Sequence, residues 1–219
     1  MTTIYPIVIP IIPRMINLQN ITTTVILTVL SAMFMIGVAM LIGWTLSKVM
    51  KSKGMKTNHV ALVGVSGVFS LILFARYGLS LTAIQGLFLL FVLLYASCSD
   101  LTNHEADDSL WLMVFALSLV GVSQIGLGTM LISAFCVFIP QIAMALLPPH
   151  KTLGGADIKL STAIAFLLGG WRGIGAYLIG LVLAVIVMSI YNKCTNRCKK
   201  KPFALVPFLS IGAMLMFLI

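Results

Sequence analysis

The stretch GLFLLFVLLYASCSDLTNHEADD, residues 86–108, runs a uniformly apolar segment straight into an aspartate, Asp100, and three further acids. Read back to residue 79, the apolar part is as long as a membrane crossing, since a helix rises about 1.5 Å per residue and about 20 residues cover the hydrocarbon layer. The rest of the chain supports a bilayer as its solvent. Of 219 residues 60% are hydrophobic and 9% charged, whereas soluble domains carry about 25% charged residues. In hydrocarbon a spanning helix satisfies its own backbone. The fold class is therefore all-α, a polytopic transmembrane protein in one domain, residues 1–219, without an extramembrane module.

Apolar stretches at 24–46, 59–75, 79–98, 110–126, 128–147, 157–171, 173–191 and 203–219 predict about eight spans. The sixth is the shortest and begins at or inside the preceding loop. The start, MTTIYPIVIPIIPR, has no basic lead and carries Pro6, Pro10 and Pro13, so it reads as an irregular lead-in and not as a signal peptide or a first helix.

The net charge of +9 is explained by topology. Lys48, Lys51, Lys53, Lys56, Lys151, Lys159, Lys193, Arg197 and Lys199 to Lys201 fall in odd-numbered connections, while Arg14, Arg76 and Arg172 fall on the other side. The positive-inside bias then puts the odd connections in the cytoplasm and both termini outside. The run Lys199 to Lys201 is an anchor for anionic membrane lipid, and no nucleic-acid motif accompanies it. All five carboxylates, Asp100, Glu105, Asp107, Asp108 and Asp157, share that cytoplasmic side.

Asp100 closes the third span and Asp157, in LGGADIKL at residues 153–160, opens the sixth. An acid at the edge of the hydrocarbon is a functional candidate. The plain alternatives are a wet loop for Asp100 and a helix cap for Asp157. Gly154 and Gly155 allow a sharp turn or close approach, and Ala156 keeps the position before the acid small. If the two aspartates meet, they cannot both ionise easily and share a proton, which is the arrangement of an aspartic protease. A helix N-terminus at Asp157 favours its ionised form and assigns it the role of base, with Asp100 the acid. A non-enzymatic scaffold or small transporter using the acids as an ion or proton site is the rival. Transport calls for acids near the bilayer midplane and broken helices, and these acids lie at helix ends on one face.

These residues resemble a known family. DLTNHEADDSL, residues 100–110, and GGADIKLSTAIAFLLGGW, residues 154–171, look like the two signatures of the prepilin peptidases, the type IV leader peptidases among the Gly-x-Gly-Asp membrane aspartyl proteases. Asp100 matches the first acid, and Asp108 with Ser109 and Leu110 matches the residues after the family's proline. Gly154, Asp157, Lys159 and Leu160 match the second motif, and KKKPFALVPFLSIGAML, residues 199–215, is similar to the family's Pro-Phe-x-Pro ending. The resemblance covers residues 85–219, the catalytic portion. Asp107 stands in place of the usual proline and Ala156 in place of a glycine. A positive φ at 156 would strain alanine.

The resemblance implies an aspartic endopeptidase of the bacterial inner membrane, with Asp100 and Asp157 catalytic and the site facing the cytoplasm. Gly154, Gly155, Ala156, Lys159 and Asp108 would shape the site or contact substrate. The implied substrate is a prepilin or pseudopilin, of a type IV pilus or secretion system, whose short basic leader is removed. No metal or organic cofactor is implied. Larger relatives carry Cys-x-x-Cys pairs in the first cytoplasmic loop, associated with zinc and with N-methylation; here that loop is SKVMKSKGMKTNH, residues 47–59. Lys159 reads from sequence alone as a snorkelling lysine, Asp107 and Glu105 as solvated loop residues, and Asp108 as a cap for the next helix. Cys194 and Cys198 share a helix face but are too few for a metal site.

Overall fold

A computed structural model describes residues 18–55, 57–103, 107, 109–146, 154–195 and 204–219. The lead-in at residues 1–14 lies outside them, as do His104, Glu105, Asp108, His150, Lys151, Cys198 and Lys199 to Lys201. All the secondary structure among the described residues is helical. The helices are α1 (Leu18–Ser52), α2 (His59–Tyr77), α3 (Leu81–Asn103), α4 (Ser109–Ser118), α5 (Val122–Ile125), α6 (Leu127–Leu146), α7 (Gly155–Leu168), α8 (Gly170–Thr195) and α9 (Val206–Leu218).

Five of them contain stretches long and apolar enough to cross a bilayer: Thr23–Ser52, His59–Tyr77, Leu81–Thr102, Leu127–Leu146 and Gly170–Tyr191. Two shorter apolar segments accompany these, Ser109–Ile125 and Val206–Leu218. The first is not one helix. A 3-10 turn, Leu119–Gly121, separates α4 from the single turn of α5, and Gly126, with φ 85°, ends it. The positive φ at a residue without Cβ is what lets the chain reverse there into α6.

α3 is the central element. Half of its apolar window is buried, against 11% for α1, and its Leu87, Leu89, Leu90, Phe91, Leu93 and Ala96 form much of the core. The outer faces of α1 and α6 expose Leu27, Met33, Phe34, Ile132, Phe135 and Ile139, as expected where lipid tails are the solvent. α7 is enclosed along most of its length, from Ile158 to Leu168, between α4, α6, α8 and α9. It ends at Gly169, φ 62°, where the chain turns into α8.

Two close backbone contacts set the position of α9. A Cβ built on Gly180 of α8 would lie 2.9 Å from Leu209 Cα, and one built on Gly212 of α9 would lie 2.9 Å from Gly180 N. Without a hydrophobic drive between helices in lipid, such small-residue contacts are how they associate. The far end of α9 is tied down as well. Tyr77 donates to the Phe217 carbonyl at 2.5 Å, and Arg76 and Arg172 each donate to the Ile219 carbonyl at 3.3 Å. Arg76 and Arg172 therefore meet at one end of the bundle.

Candidate active site

The other end of α9 meets Asp100. That residue lies in the last turn of α3, not beyond it, and is 6% exposed. Its Oδ2 accepts the Val206 N–H at 3.0 Å. Val206 is the first residue of α9, where an N–H has no partner within its own helix, and Pro207 beside it pre-sets the first turn. One turn earlier on α3, Ser97 shares a 2.9 Å hydrogen bond with Ser210 of α9.

Asp157 belongs to α7, which starts two residues earlier than the sequence suggests. Gly154 is the N-cap and Asp157 the third helical residue. From there its carboxylate folds back to accept the Gly154 N–H, the acid half of a capping box. Gly154 has φ −71° and ψ 138°, which any residue adopts, so its missing side chain serves space and not backbone freedom. A Cβ there would lie 3.1 Å from Asp157 Oδ2. Gly155 has open space at its Cβ position. Ala156 is helical, so no positive φ is required and alanine suits the position better than glycine.

Asp157 lies ahead of the buried run of α7 and outside the five candidate crossings. Burial raises its pKa first, and the negative charge of Asp100 raises it further, against the Gly154 hydrogen bond, to about 6. The two acids, from different helices, therefore act on one another. The favourable partial charge of the first turn is thus opposed at Asp157 by lost solvation and a like charge.

Lys159 is exposed on α7 and lines a groove of about 500 Å³ between α4, α6 and α7, together with Trp111, Phe115, Phe138 and Phe166. Behind it, Ser161 donates to the buried Gln141 of α6 at 2.9 Å, beside Pro140. Asp108 lies outside the described residues.

Asp107 has more partners than a solvated loop residue. Tyr95 of α3 donates to its Oδ2 at 2.9 Å, Lys53 donates to the Tyr95 oxygen at 2.7 Å, and Lys53 Nζ lies 3.9 Å from Asp107 Oδ2. The Tyr95 hydrogen bond, the largest cause, raises the pKa of Lys53. The three residues tie the loop after α1 to α3 and to the start of α4. Sequence reasoning missed this cluster because its members are distant along the chain; the replacement of the family's proline by an acid at 107 was the available signal. No group of three or more metal-ligating side chains occurs among the described residues.

Residues 87–191 match the model of the type IV leader peptidase family. No curated protein and no solved structure matches the chain. The matched segment contains both Asp100 and Asp157 and runs from α3 through most of α8. The chain, a helical protein with several membrane-length helices, is thus similar over residues 87–191, just under half of its length, to the type IV leader peptidase family.

Proposed function

We propose that the protein is a membrane-embedded aspartyl endopeptidase in which Asp100 and Asp157 are the catalytic pair. The observation that carries this reading is that carboxylates from α3 and α7 come close enough to interact: burial raises the Asp157 pKa first and the charge of Asp100 raises it further, to about 6. Two such acids share a proton, the state that aspartic hydrolysis uses.

In this reading the two acids take opposite roles. Asp100, held as an acceptor by the Val206 N–H, takes a proton from the attacking water. Asp157, whose pKa burial and the Asp100 charge push up to about 6, gives its proton to the scissile carbonyl oxygen. Water oxygen bonds to the carbonyl carbon, giving a tetrahedral diol. Its collapse breaks the C–N bond, with Asp100 returning its proton to the departing amine and Asp157 recovering one from a diol hydroxyl. This exchanges the roles expected from helix ends alone.

In the proposed topology the whole chain is one domain that crosses the bacterial inner membrane eight times. Both termini are outside, and the pair faces the cytoplasm. The substrate is a prepilin or pseudopilin of a type IV pilus or secretion system, cut between its short basic leader and its apolar helix. The family match and the basic bias of the odd connections support this.

The test is cleavage of a prepilin in membranes holding wild type, Asp100→Asn or Asp157→Asn at equal, verified insertion. Cleavage by wild type and its loss in both variants is the expected result. Wild-type cleavage by either variant would remove that acid from the mechanism.

A further inference from the structure

The family match ends at residue 191, before α9 begins, yet α9 supplies the N–H that Asp100 accepts. What fixes α9 at that point is a second polar contact one turn away. Ser97 and Asp100 stand three apart on α3, so they share a face, and Val206 and Ser210 stand four apart on α9 and share another. The two faces meet in two rungs: Val206 N to Asp100 Oδ2 at 3.0 Å, and Ser97 Oγ to Ser210 Oγ at 2.9 Å.

The second rung is linked to the first through Val206 itself. Ser210 Oγ lies 2.8 Å from the Val206 carbonyl oxygen, and Ser97 Oγ donates to the Leu93 carbonyl at 2.7 Å. Each hydroxyl has one proton, so with Ser97 donating to Leu93 it is Ser210 that donates to Ser97, and Val206, with no solvent exposure, is held through its N–H on Asp100. Ser210 is buried and Ser97 half-buried. A hydroxyl pair between apolar helices contributes modestly to association in a membrane, and this one lies one turn from the contact to Asp100.

We propose that Ser97 and Ser210 are positioning residues that hold the first turn of α9 in register with α3, so that the Val206 N–H stays on Asp100. The pair acts on catalysis through that N–H and touches no substrate. The inference rests on the reading of Asp100 as half of the catalytic pair.

The experiment is steady-state cleavage of a prepilin by Ser97→Ala, Ser210→Ala and the double variant, with pH–rate profiles and melting temperatures. Asp100→Asn is run beside them. Each single variant should lower kcat on the order of tenfold, leave KM near the wild-type value and displace one limb of the pH–rate profile. The melting temperature should change little, and the double variant should be no worse than the weaker single, because one contact is lost in every case. Unchanged pH profiles, or losses in kcat that multiply in the double variant, would overturn the positioning role while a dead Asp100→Asn leaves the catalytic pair standing. An active Asp100→Asn would overturn both.

Discussion

Gly180→Ala is the most direct probe of how the fold holds Asp100. The new Cβ would lie 2.9 Å from Leu209 Cα, 3.0 Å from Leu209 Cδ2 and 3.2 Å from Leu209 N. Carbon atoms in contact sit about 3.5–4.0 Å apart, so α8 and α9 must separate by roughly 0.6–1.1 Å. Because the obstacle is backbone, no rotamer change relieves it. Leu209 is in the same turn as Val206, and an equal displacement would stretch the 3.0 Å bond to Asp100 beyond the ~3.2 Å limit of a good N–H···O contact. Overpacking costs about 1–3 kcal/mol and the lost bond to a carboxylate about 1.5–3 kcal/mol, offset by about 1 kcal/mol of helix propensity. The variant should melt at least about 3 °C below wild type in micelles and cleave between tenfold and a hundredfold more slowly. Gly37→Ala in α1 is the control, since nothing lies within 4 Å of its Cβ position. It should match or slightly exceed wild-type stability. If Gly180→Ala melts and cleaves like wild type, or Gly37→Ala suffers equally, the account of α9 is wrong.

Two further predictions concern Asp157. Its pKa is raised from 3.8 to about 6, so the native state binds this proton more tightly than the unfolded chain. The resulting stabilisation is full below pH 3.8 and is lost as pH rises through about 6; the difference in melting temperature between wild type and Asp157→Asn, followed from pH 3 to 7, should show that loss. Asp100→Asn should lower the Asp157 pKa by removing the like charge, which carboxyl-resolved NMR in micelles can read; an unchanged value would mean the acids do not interact. At the motif glycines, Gly154→Ala should slow cleavage because its Cβ crowds the Asp157 carboxylate at 3.1 Å, while Gly155→Ala, with open space, should not. Equal rates in the two variants would refute the assignment of that space to the carboxylate.

The helical class and the two acids were legible because each leaves a local mark. A uniform apolar run defines α3, and Asp100 and Asp157 stand out in a chain with five acids. The break in the span expected at 110–126 was less visible. Its composition is apolar throughout, and only Gly121 and Gly126 mark the turn between α4 and α6. The start of α7 was misjudged by two residues because an aspartate at a helix start suggests the N-cap. From the third helical position Asp157 instead reaches back to Gly154. The Lys53–Tyr95–Asp107 cluster and the α9 contact were illegible, since they join residues 12 to 106 positions apart. In the second case the donor is a main-chain N–H, which no residue identity announces.

Both acids have the same kind of support. Asp100 accepts an N–H from the start of α9, and Asp157 accepts one from the start of α7. An arginine or lysine placed against such a pair would favour two carboxylates and hinder the sharing of a proton. A main-chain N–H stabilises one carboxylate oxygen with only a partial charge. It also cannot swing away as a side chain does, so its position is only as good as the packing of its helix. The contact of Gly180 and Gly212 and the Ser97–Ser210 pair therefore bear on the chemistry from outside the acids, through the placement of α9. Substitutions at these small residues should alter rate more than their loss of stability alone would produce.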